Sequence, residues 1–501
     1  MRLSPLIHAL RRQDGISLIM AIGVLSVLSI TGVTMVSYAN SNTRSAGFSQ
    51  DNGAAYDLAE AGINEMIAVL SNPENNSLKG FLLPQTTRTY ETGTVTWSGA
   101  LNQATATWAV TSTGRVKNPT GNANDVTRTL SAKIPVTPSY TQPLNNPAWN
   151  YIFNRRTGNA CDMTVSNNVG GSSRLYVAGN LCLSNNAGIT TSSLIVQGNL
   201  DLSNNAFVGA STSMATRVET FVGANCRYGG GAWGTPCSGN QDARRIYSKK
   251  GPPNYVNGVT NPAPFIAAPA SDFATWYTNS LPGPSQDCTA AVGARSGTPP
   301  VFDADGVRNN SVASVFELTP ASSYTCRVGP AVNPSGELSW NATTKVLTVA
   351  GTIYIDGSAR VTNGALNQYN GQATLYLSGT FLIDNSSKLC GGISGSNCDF
   401  AAWNPNTEML TVVADGNGGQ AGVGNSILAD NNAQFQGGLF ATSNLEYMNN
   451  ARSDGPIVAN EVKLANNVQT DSFPTITTVP VGMPGNPQVY AQPNPPQLYS
   501  G

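Results

Sequence analysis

A seven-residue pattern that recurs along the chain constrains its fold more than any other feature. In each regular copy two apolar residues flank one other residue, and one further residue and an Asn pair follow. The regular copies are 163–169, 181–187, 200–206, 445–451 and 462–468, and looser ones are 353–359, 381–387 and 428–433. Asn167, Asn185 and Asn204 are 18 and 19 residues apart, which is too short for a propeller blade. The repeats therefore predict a parallel β-solenoid, whose coils stack about 4.8 Å apart.

The residue types of the repeat fit such coils. The alternating apolar residues would point into the bore, and Asn accepts the left-handed backbone conformation that a sharp corner requires. Stacked Asn side chains can also hydrogen-bond along the solenoid axis as a ladder. Many copies have a second apolar run ending in Gly just upstream, as in 174–179, 193–198, 345–351 and 374–379. We therefore interpret one coil as strand, glycine, strand and Asn corner.

The start of the chain contains an uncharged apolar run that is long enough to cross a membrane. It extends from Ile16 to Ala39, and these 24 residues would form a helix about 36 Å long, against a hydrocarbon core of about 30 Å. Arg2, Arg11 and Arg12 precede the run, so the positive-inside rule places the N-terminus in the cytoplasm. We expect a single-pass cell-membrane protein whose bulk is extracellular.

The boundary of this run resembles a type IV pilin signal. The basic leader ends at Gly15, directly before the apolar run, and the helical pattern continues to about residue 70 through an Ala-Glu-Ala-Gly motif within 58–62. Residues 11–70 are similar to the PilX-like family of minor pilins and pilus assembly proteins. The resemblance implies cleavage between Gly15 and Ile16 by a prepilin peptidase, with the helix kept on the mature chain. It also implies a place in the pilus and other pilins or pilus assembly proteins as partners.

One position departs from the pattern of major pilins. Those subunits have a glutamate five residues into the mature chain, where this sequence has Met20. The departure argues against an efficiently polymerising major subunit. An uncleaved signal anchor unrelated to pili is the alternative.

Charge and histidine content exclude several classes of function. Charged residues make up 11% of the chain, against about 25% in average soluble proteins. Cutting after Gly15 would leave 24 basic and 27 acidic residues. Because acidic residues are then in excess, the mature chain would not attract the phosphate groups of a nucleic acid. The one histidine, His8, lies in the leader, so the mature chain would have neither a Ser-His-Asp triad nor a His-ligated metal. We expect no cofactor and no metal site.

The eight cysteines are even in number and scattered, as in disulfide-bonded exported proteins. The sequence contains no Cys-x-x-Cys pair of the kind that binds zinc, and it leaves the connectivity open. We favour two short loops and two longer pairs, which are Cys226–Cys237, Cys390–Cys398, Cys161–Cys182 and Cys288–Cys326.

These features predict a mainly β chain with a long N-terminal transmembrane α-helix, a small antiparallel sheet and then a parallel β-solenoid with irregular insertions. The sheet is expected from period-two runs such as 94–97, 104–110 and 126–136. The expected segments are a leader (1–15), the transmembrane and extended helix (16–71), a small β-sheet domain (72–138), a Pro-rich linker (139–160), solenoid coils (161–209), a disulfide-containing insertion (210–340), further coils (341–470) with a small insertion at 390–425, and a Pro-rich tail (471–501).

Three carboxylates offer the strongest hint of catalysis. Asp356, Asp384 and Asp430 occupy one position of the repeat and would form a column if their coils were adjacent. Parallel β-helix enzymes that cleave polysaccharides use neighbouring carboxylates as acid and nucleophile, or as calcium ligands. The other reading is that Asp before Gly or Asn makes an inert corner of the Asx type.

Three hypotheses for function follow from the sequence. We favour a pilin-like, membrane-anchored surface protein without enzymatic activity, which takes part in type IV pilus assembly or display. Its solenoid would act as an adhesive or structural module and could meet a surface or polysaccharide ligand. The alternatives are an exported carbohydrate-active β-helix, a lyase or hydrolase, and a surface adhesin outside any pilus.

Overall fold

The computed structural model describes residues 14–72, 75, 77–78, 81–102, 104–120, 124–251, 255–280, 286–289, 315–328, 334–361, 364–416, 425–486 and 491–500. It confirms the predicted class, since the chain is mainly β with a long N-terminal helix, a small antiparallel sheet and a large parallel sheet. The helix, α1, spans Asp14–Ser71 over 58 residues. The small sheet is built from consecutive antiparallel strands, β1 (Thr86–Tyr90), β2 (Gly93–Asn102), β3 (Thr107–Val116) and β4 (Val126–Pro138).

The C-terminal half of α1, which we call its outer half, packs on the small sheet through one buried stripe of side chains. Ala59, Ile63, Met66 and Leu70 are spaced by three or four residues, so they share one face of the helix, and all are buried. They contact the inward side chains of the sheet, which are Val95, Trp97, Trp108, Val110, Leu130, Ala132, Ile134 and Val136. The stripe explains why the helix continues beyond the length of a membrane span.

Helix and sheet approach so closely that two positions have room only for glycine. A Cβ on Gly114 of β3 would overlap the carbonyl oxygen of Ala55 and lie 2.8 Å from the Ala59 nitrogen. A Cβ on Gly62 of α1 would overlap the Ser112 hydroxyl and lie 2.8 Å from a Val95 methyl group. The Ala-Glu-Ala-Gly motif is thus the part of the helix that touches the sheet most closely.

The large parallel sheet folds into a solenoid with three columns of strands, in which the spatial order of strands differs from their order in the chain. The first column contains, from one end to the other, Val346–Ile355, Leu366–Leu377, Met409–Ala414, the first part of Gly438–Tyr447, the first part of Ile457–Ala465, Ile152–Asn154, Leu175–Val177, Ser193–Val196 and Val218–Val222. The second contains Phe316–Glu317, Ala359–Val361, Phe381–Ile383, Ile427–Ala429, the second parts of Gly438–Tyr447 and Ile457–Ala465, Met163–Ser166, Leu181–Ser184, Leu200–Leu202 and Cys226–Tyr228. The third contains the start of Leu366–Leu377, Lys388–Cys390, Gln434–Gln436, Arg452–Asp454, Gln469–Asp471, Gly170–Gly171, Gly188–Ile189 and Phe207–Val208.

The chain enters and leaves this solenoid in its middle. The last coil, 457–471, pairs in parallel with the first, 152–171, along all three columns. We call this junction the seam. From the seam, coils 175–228 extend in one direction and coils 346–454 in the other. The repeats are therefore not stacked in sequence order, because residues 207 and 346 lie at opposite ends of the solenoid.

A two-stranded stem connects the solenoid to the small sheet. Strand β5 (Thr141–Pro143) enters the solenoid and pairs in antiparallel register with Thr478–Pro480, which leaves it. The Pro-rich tail then returns to the small sheet, where Ala491–Pro493 and Gln497–Ser500 both pair with β4. The solenoid is therefore an insertion within the small sheet, and the tail supplies two of that sheet's strands.

The Asn corners have the backbone conformation that the sequence predicts. Both residues of each pair in the five regular copies have φ between 46° and 65°. In four of these pairs the first Asn also donates to the equivalent side chain of the next coil, and in the fifth Asn449 donates to Asp430. Asn185 Nδ2 lies 2.9 Å from Asn167 Oδ1, Asn167 Nδ2 lies 2.8 Å from Asn466 Oδ1, and Asn466 Nδ2 lies 3.0 Å from Asn449 Oδ1. The ladder thus crosses the seam without interruption.

The first column is buried on both of its faces. Its inward residues fill the bore, and its outward residues, among them Phe153, Tyr176, Tyr354, Tyr376 and Phe440, form a second core. A short helix, α2 (Phe273–Ser280), the 3₁₀ helix Pro147–Asn150 and the returning segment 473–483 cover this face. The apolar triplets of this column, such as Leu-Tyr-Val at 175–177, are typical of parallel strands covered on both sides.

The segment expected to be an irregular insertion, 210–340, begins with another coil. Val218–Val222 and Cys226–Tyr228 still stack on Ser193–Val196 and Leu200–Leu202, although they lack an Asn pair. The segment also contains the 3₁₀ helices Met214–Thr216 and Asp242–Arg244 and the strand Ser248–Lys249. Beyond α2, the antiparallel strands Gln286–Thr289, Tyr324–Val328 and Gly336–Asn341 lead into the other end of the solenoid.

We predict that Gly114→Ala lowers the stability of the helix–sheet unit by about 1–3 kcal/mol, because the added methyl group has no space beside α1. Gly53→Ala in the facing helix is the control, since nothing lies within 4 Å of its Cβ position and Ala is favoured over Gly within a helix. Thermal unfolding of the full chain in detergent measures both. Equal midpoints for the two variants would contradict the close approach.

We also predict that Asn167→Ala destabilises the solenoid more than Asn167→Gly. Both variants lose the side-chain hydrogen bond from Asn167 to Asn466 that crosses the seam. Only Ala adds a cost of about 1–2 kcal/mol for the left-handed backbone conformation at this residue. Urea unfolding midpoints of the two variants provide the measurement. The prediction fails if Gly is as damaging as Ala.

Candidate functional site

The N-terminal half of α1, which we call its inner half, presents an apolar surface on which no described residue packs. An 18-residue window of this half has a mean hydropathy of 2.3, and none of it is buried. Ile16, Met20 and Val36 are 61%, 70% and 61% exposed. This part of the helix has the length and the composition to cross a membrane.

Three polar side chains of this surface are bonded within the helix itself. The hydroxyl groups of Ser26, Thr31 and Thr34 donate to the carbonyl oxygens of residues four positions earlier, at 2.7, 2.8 and 2.9 Å. A hydrocarbon environment tolerates hydroxyl groups that are bonded in this way. On one face Ser29, Gly32 and neighbouring residues form a shallow groove, and small residues of this kind let a second helix approach closely.

The expected processing site lies at the start of α1. Gly15 and Ile16 are both helical, and most of the leader, residues 1–13, lies outside the described residues. Cleavage between Gly15 and Ile16 therefore stays a prediction. Met20 is on the exposed surface of the helix and places no carboxylate there.

A carboxylate beyond the membrane span connects α1 to the edge of the small sheet. Glu65 accepts hydrogen bonds from the Arg88 guanidinium at 3.1 Å, from the Trp97 indole at 3.1 Å and from the Tyr90 hydroxyl. The bond to Glu65 raises the pKa of Tyr90. No sequence pattern indicates this cluster, because its members come from three separate elements.

Disulfides staple the solenoid and its insertions. Cys161–Cys182, Cys226–Cys237 and Cys390–Cys398 are bonded, and no described cysteine is free. Cys326 is also disulfide-bonded, and the antiparallel register places Cys288 opposite it. The first two bonds join the second column to its neighbouring loops, and the third closes the insertion that follows Lys388–Cys390.

The expected column of three carboxylates does not exist as such. Asp384 and Asp430 follow adjacent strands of the second column, but Asp356 follows a strand of the first column and is fully buried. The assignment of Asp356 was wrong because apolar-x-apolar-Asp occurs on two different strands of a coil, and the repeat alone does not distinguish them.

Asp384 and Asp430 act as members of the Asn ladder. Asp384 Oδ1 accepts from Asn431 Nδ2 at 2.8 Å, and Asp430 Oδ1 accepts from Asn449 Nδ2 at 2.6 Å. Each also accepts from the backbone nitrogen of the following residue, which is one residue nearer than the partner in an Asx turn. Among the described residues, no group of three or more potential ligands is arranged to hold a metal ion.

A different pair of acidic residues comes together in the third column. Asp454 and Asp471 are direct neighbours in the parallel register. Arg452 binds Asp471 through two hydrogen bonds, one of them 2.9 Å from Nη2 to Oδ1, whereas Asp454 is 1% exposed. Burial first, and Asp471 second, raise the pKa of Asp454 to about 8. The sequence did not indicate this pair, because neither residue belongs to the seven-residue repeat.

The outward face of the second column carries charges that neutralise one another between adjacent coils. Arg227 binds Asp201 at 2.6 Å, Arg360 binds Glu317 at 2.8 Å and Lys463 binds Glu446 at 3.1 Å. Each pair joins direct neighbours in the strand register. Ion pairs at a protein surface stabilise little, so the main effect of these pairs is an outward face without a strong electric field of either sign.

No protein-family model matches the sequence, and no curated protein is similar to it. The crystal structure of the competence-associated pilin ComZ from Thermus thermophilus is similar over 90% of this chain and 98% of that chain. The sequences are 12% identical, and the TM-score is 0.26. A likeness this distant does not assign the chain to a family, so the case for its function rests on its own residues.

We predict that Asp454→Asn stabilises the protein increasingly as the pH rises from about 5 to about 8. The folded chain keeps the Asp454 proton up to about pH 8, whereas the unfolded chain loses it near the ordinary value of 3.8. The unfolded state therefore binds fewer protons in this window, and the stability of the wild type falls as the pH rises. Asn has no proton to lose. Thermal midpoints across the window, with the exposed Glu91→Gln as control, test this, and a constant difference from wild type would contradict it.

Proposed function

We propose that this chain is a pilin-like, membrane-anchored surface protein that takes part in the assembly or display of a type IV pilus. One observation carries the proposal. A single 58-residue helix leaves its apolar inner half uncovered and docks its outer half on a small antiparallel sheet. The inner half would hold the subunit in the membrane until it packs against the helices of other pilins, which are the proposed partners.

The same helix favours a minor subunit over a major one. Met20 places a thioether where the resemblance implies a glutamate in major pilins, so this chain would bring no charge to that position. The solenoid, inserted through a stem into the small sheet, would then be displayed outside the cell. A bulky insertion of this kind suits a subunit present in few copies, because it would crowd a regular array of neighbours.

We infer that the solenoid is an adhesive or structural module without catalytic activity. Asp384 and Asp430 are bonded within the Asn ladder, Asp471 is held by Arg452, and Asp454 is buried, so no candidate acid combines exposure with a free carboxylate. This arrangement argues against the carbohydrate-active enzyme. A surface adhesin outside any pilus shares every feature of the solenoid and differs only in the processing of the helix.

The mature N-terminus decides between these proposals. Mass spectrometry of membrane and sheared surface fractions, from cells with and without their prepilin peptidase, should find a chain beginning at Ile16 only when the peptidase is present. Gly15→Leu should block this cleavage, whereas Gly23→Ala, in the same helix with open space around it, should leave it intact.

If the leader persists in both strains, the pilus proposal fails and the non-pilus adhesin replaces it. If Ile16 is the N-terminus but the protein never reaches the sheared fraction, a role in assembly at the membrane is favoured over display in the filament.

A further inference from the structure

One end of the solenoid carries a local excess of basic residues. Residues 226–250, which contain the last strand of the second column and the loops that follow it, include five basic residues and one acidic residue. The basic residues are Arg227, Arg244, Arg245, Lys249 and Lys250. The acidic residue, Asp242, binds Arg217 through two hydrogen bonds of 2.7 and 2.8 Å. This end therefore differs from the outward face of the second column, where the charges of adjacent coils neutralise one another.

A disulfide-closed loop at this end holds an exposed tryptophan. The bond Cys226–Cys237 closes the loop, and the backbones of Cys226 and Gly234 exchange hydrogen bonds of 3.3 and 2.7 Å across it. Trp233 is 38% exposed, although the Arg227 guanidinium lies 4.3 Å from the centre of its ring. Because the loop is fixed at its base, a ligand would find the ring already in place, which lowers the ordering cost of binding.

Two half-exposed arginines beside this loop form no ion pair with any described carboxylate. Arg244 donates to the carbonyl oxygen of Ala232 in the loop, at 3.3 Å, and to the side-chain oxygen of Gln241. Arg245 donates to Asn205 Oδ1 at 3.1 Å. A guanidinium has five N–H donors, so each of these side chains keeps donors that the protein does not use. Both arginines therefore present a positive charge that a ligand can bind.

Trp233, Arg244 and Arg245, which we call the Arg–Trp patch, match the chemistry of an acidic sugar. The planar fork of a guanidinium suits a carboxylate, to which it can donate two parallel hydrogen bonds. The exposed Trp233 ring offers an apolar surface with a polar edge, against which the C–H face of a sugar ring can pack. A nucleic acid matches less well, because its affinity comes from many phosphate contacts along the backbone, whereas this patch is confined to one loop and its neighbours.

We propose that the Arg–Trp patch binds a polysaccharide that contains uronic acids. The guanidinium groups of Arg244 and Arg245 hold carboxylates of the polymer, and the Trp233 ring packs against one of its sugar rings. Because the acidic sugars belong to one polymer, binding of the first raises the effective concentration of the next at the patch. This binding role rests on the proposed adhesive role of the solenoid, to which it adds a site and a class of ligand.

Binding of the full chain in detergent to polygalacturonate tests the patch, with the methyl-esterified polymer as the uncharged reference. The wild type should bind the acidic polymer at least about tenfold more tightly, because hydrogen bonds between charged groups are the stronger ones. The double variant Arg244→Gln/Arg245→Gln should lose at least about tenfold in affinity, and Trp233→Ala at least about fivefold. The double variant Arg115→Gln/Lys117→Gln, at exposed residues at the end of β3, removes the same charge and should bind as the wild type does.

The possible failures of this test are distinguishable. If the wild type binds polygalacturonate but the patch variants bind it equally well, the site is wrong and the adhesive role stands. If double-stranded DNA at the same charge concentration displaces the polymer as well as free polygalacturonate does, the patch binds polyanions in general and the uronate assignment is wrong. If the wild type binds neither form of the polymer, the uronate assignment is overturned. The adhesive role is overturned only if cells that lack the chain also attach to surfaces as well as cells that carry it.

Discussion

Parallel backbone hydrogen bonds between successive coils hold most of this molecule together, and such bonds require every strand edge to have a neighbour. In a solenoid whose coils stack in sequence order, the two strand edges without a neighbour lie at its ends. In this protein the chain begins in the middle, so coil 152–171 has a second edge that only the last coil, 457–471, covers. The Asn ladder, the strand register and the backbone bond from Asn467 N to Asn167 O continue across that seam with undiminished geometry. The whole architecture depends on a contact between residues about 300 positions apart.

The local elements of this fold could be predicted from the sequence because their signals are local. The Asn pairs specify left-handed corners through the residue type itself, the apolar run specifies the helix, and the period-two runs specify the small sheet. The stacking order could not be predicted, because all coils carry nearly the same pattern and any coil fits on any other. The return of 491–500 to β4 was hidden for a related reason, since a short Pro-rich strand at a sheet edge has no apolar periodicity.

The candidate sites, like the fold, could be predicted only in part from the sequence. Asp384 and Asp430 share one column because they belong to the repeat, and the structure places their strands side by side, but Asp356 belongs to a strand of the first column with a similar sequence pattern. Asp454 is 1% exposed, although it lies outside the repeat. Its burial comes from tertiary packing, which the sequence around the residue does not indicate. Glu65 is a similar case, since strands β1 and β2 supply the partners of a helical residue.

The stem has a consequence for how the protein withstands proteolysis. β5 connects the first half of the solenoid covalently to α1, whereas the second half continues through Thr478–Pro480 into the tail, which strand pairing with β4 holds on the small sheet. A protease that cuts the long segment between the two outer ends would leave both halves attached and still joined along the seam. A cut in β5 would break the covalent connection to α1, but there the chain pairs with Thr478–Pro480 and Gln142 is almost fully buried. Even after such a cut, release of the solenoid would require the tail strands to separate from β4, so strand pairing gives the solenoid a second attachment that does not depend on an intact backbone.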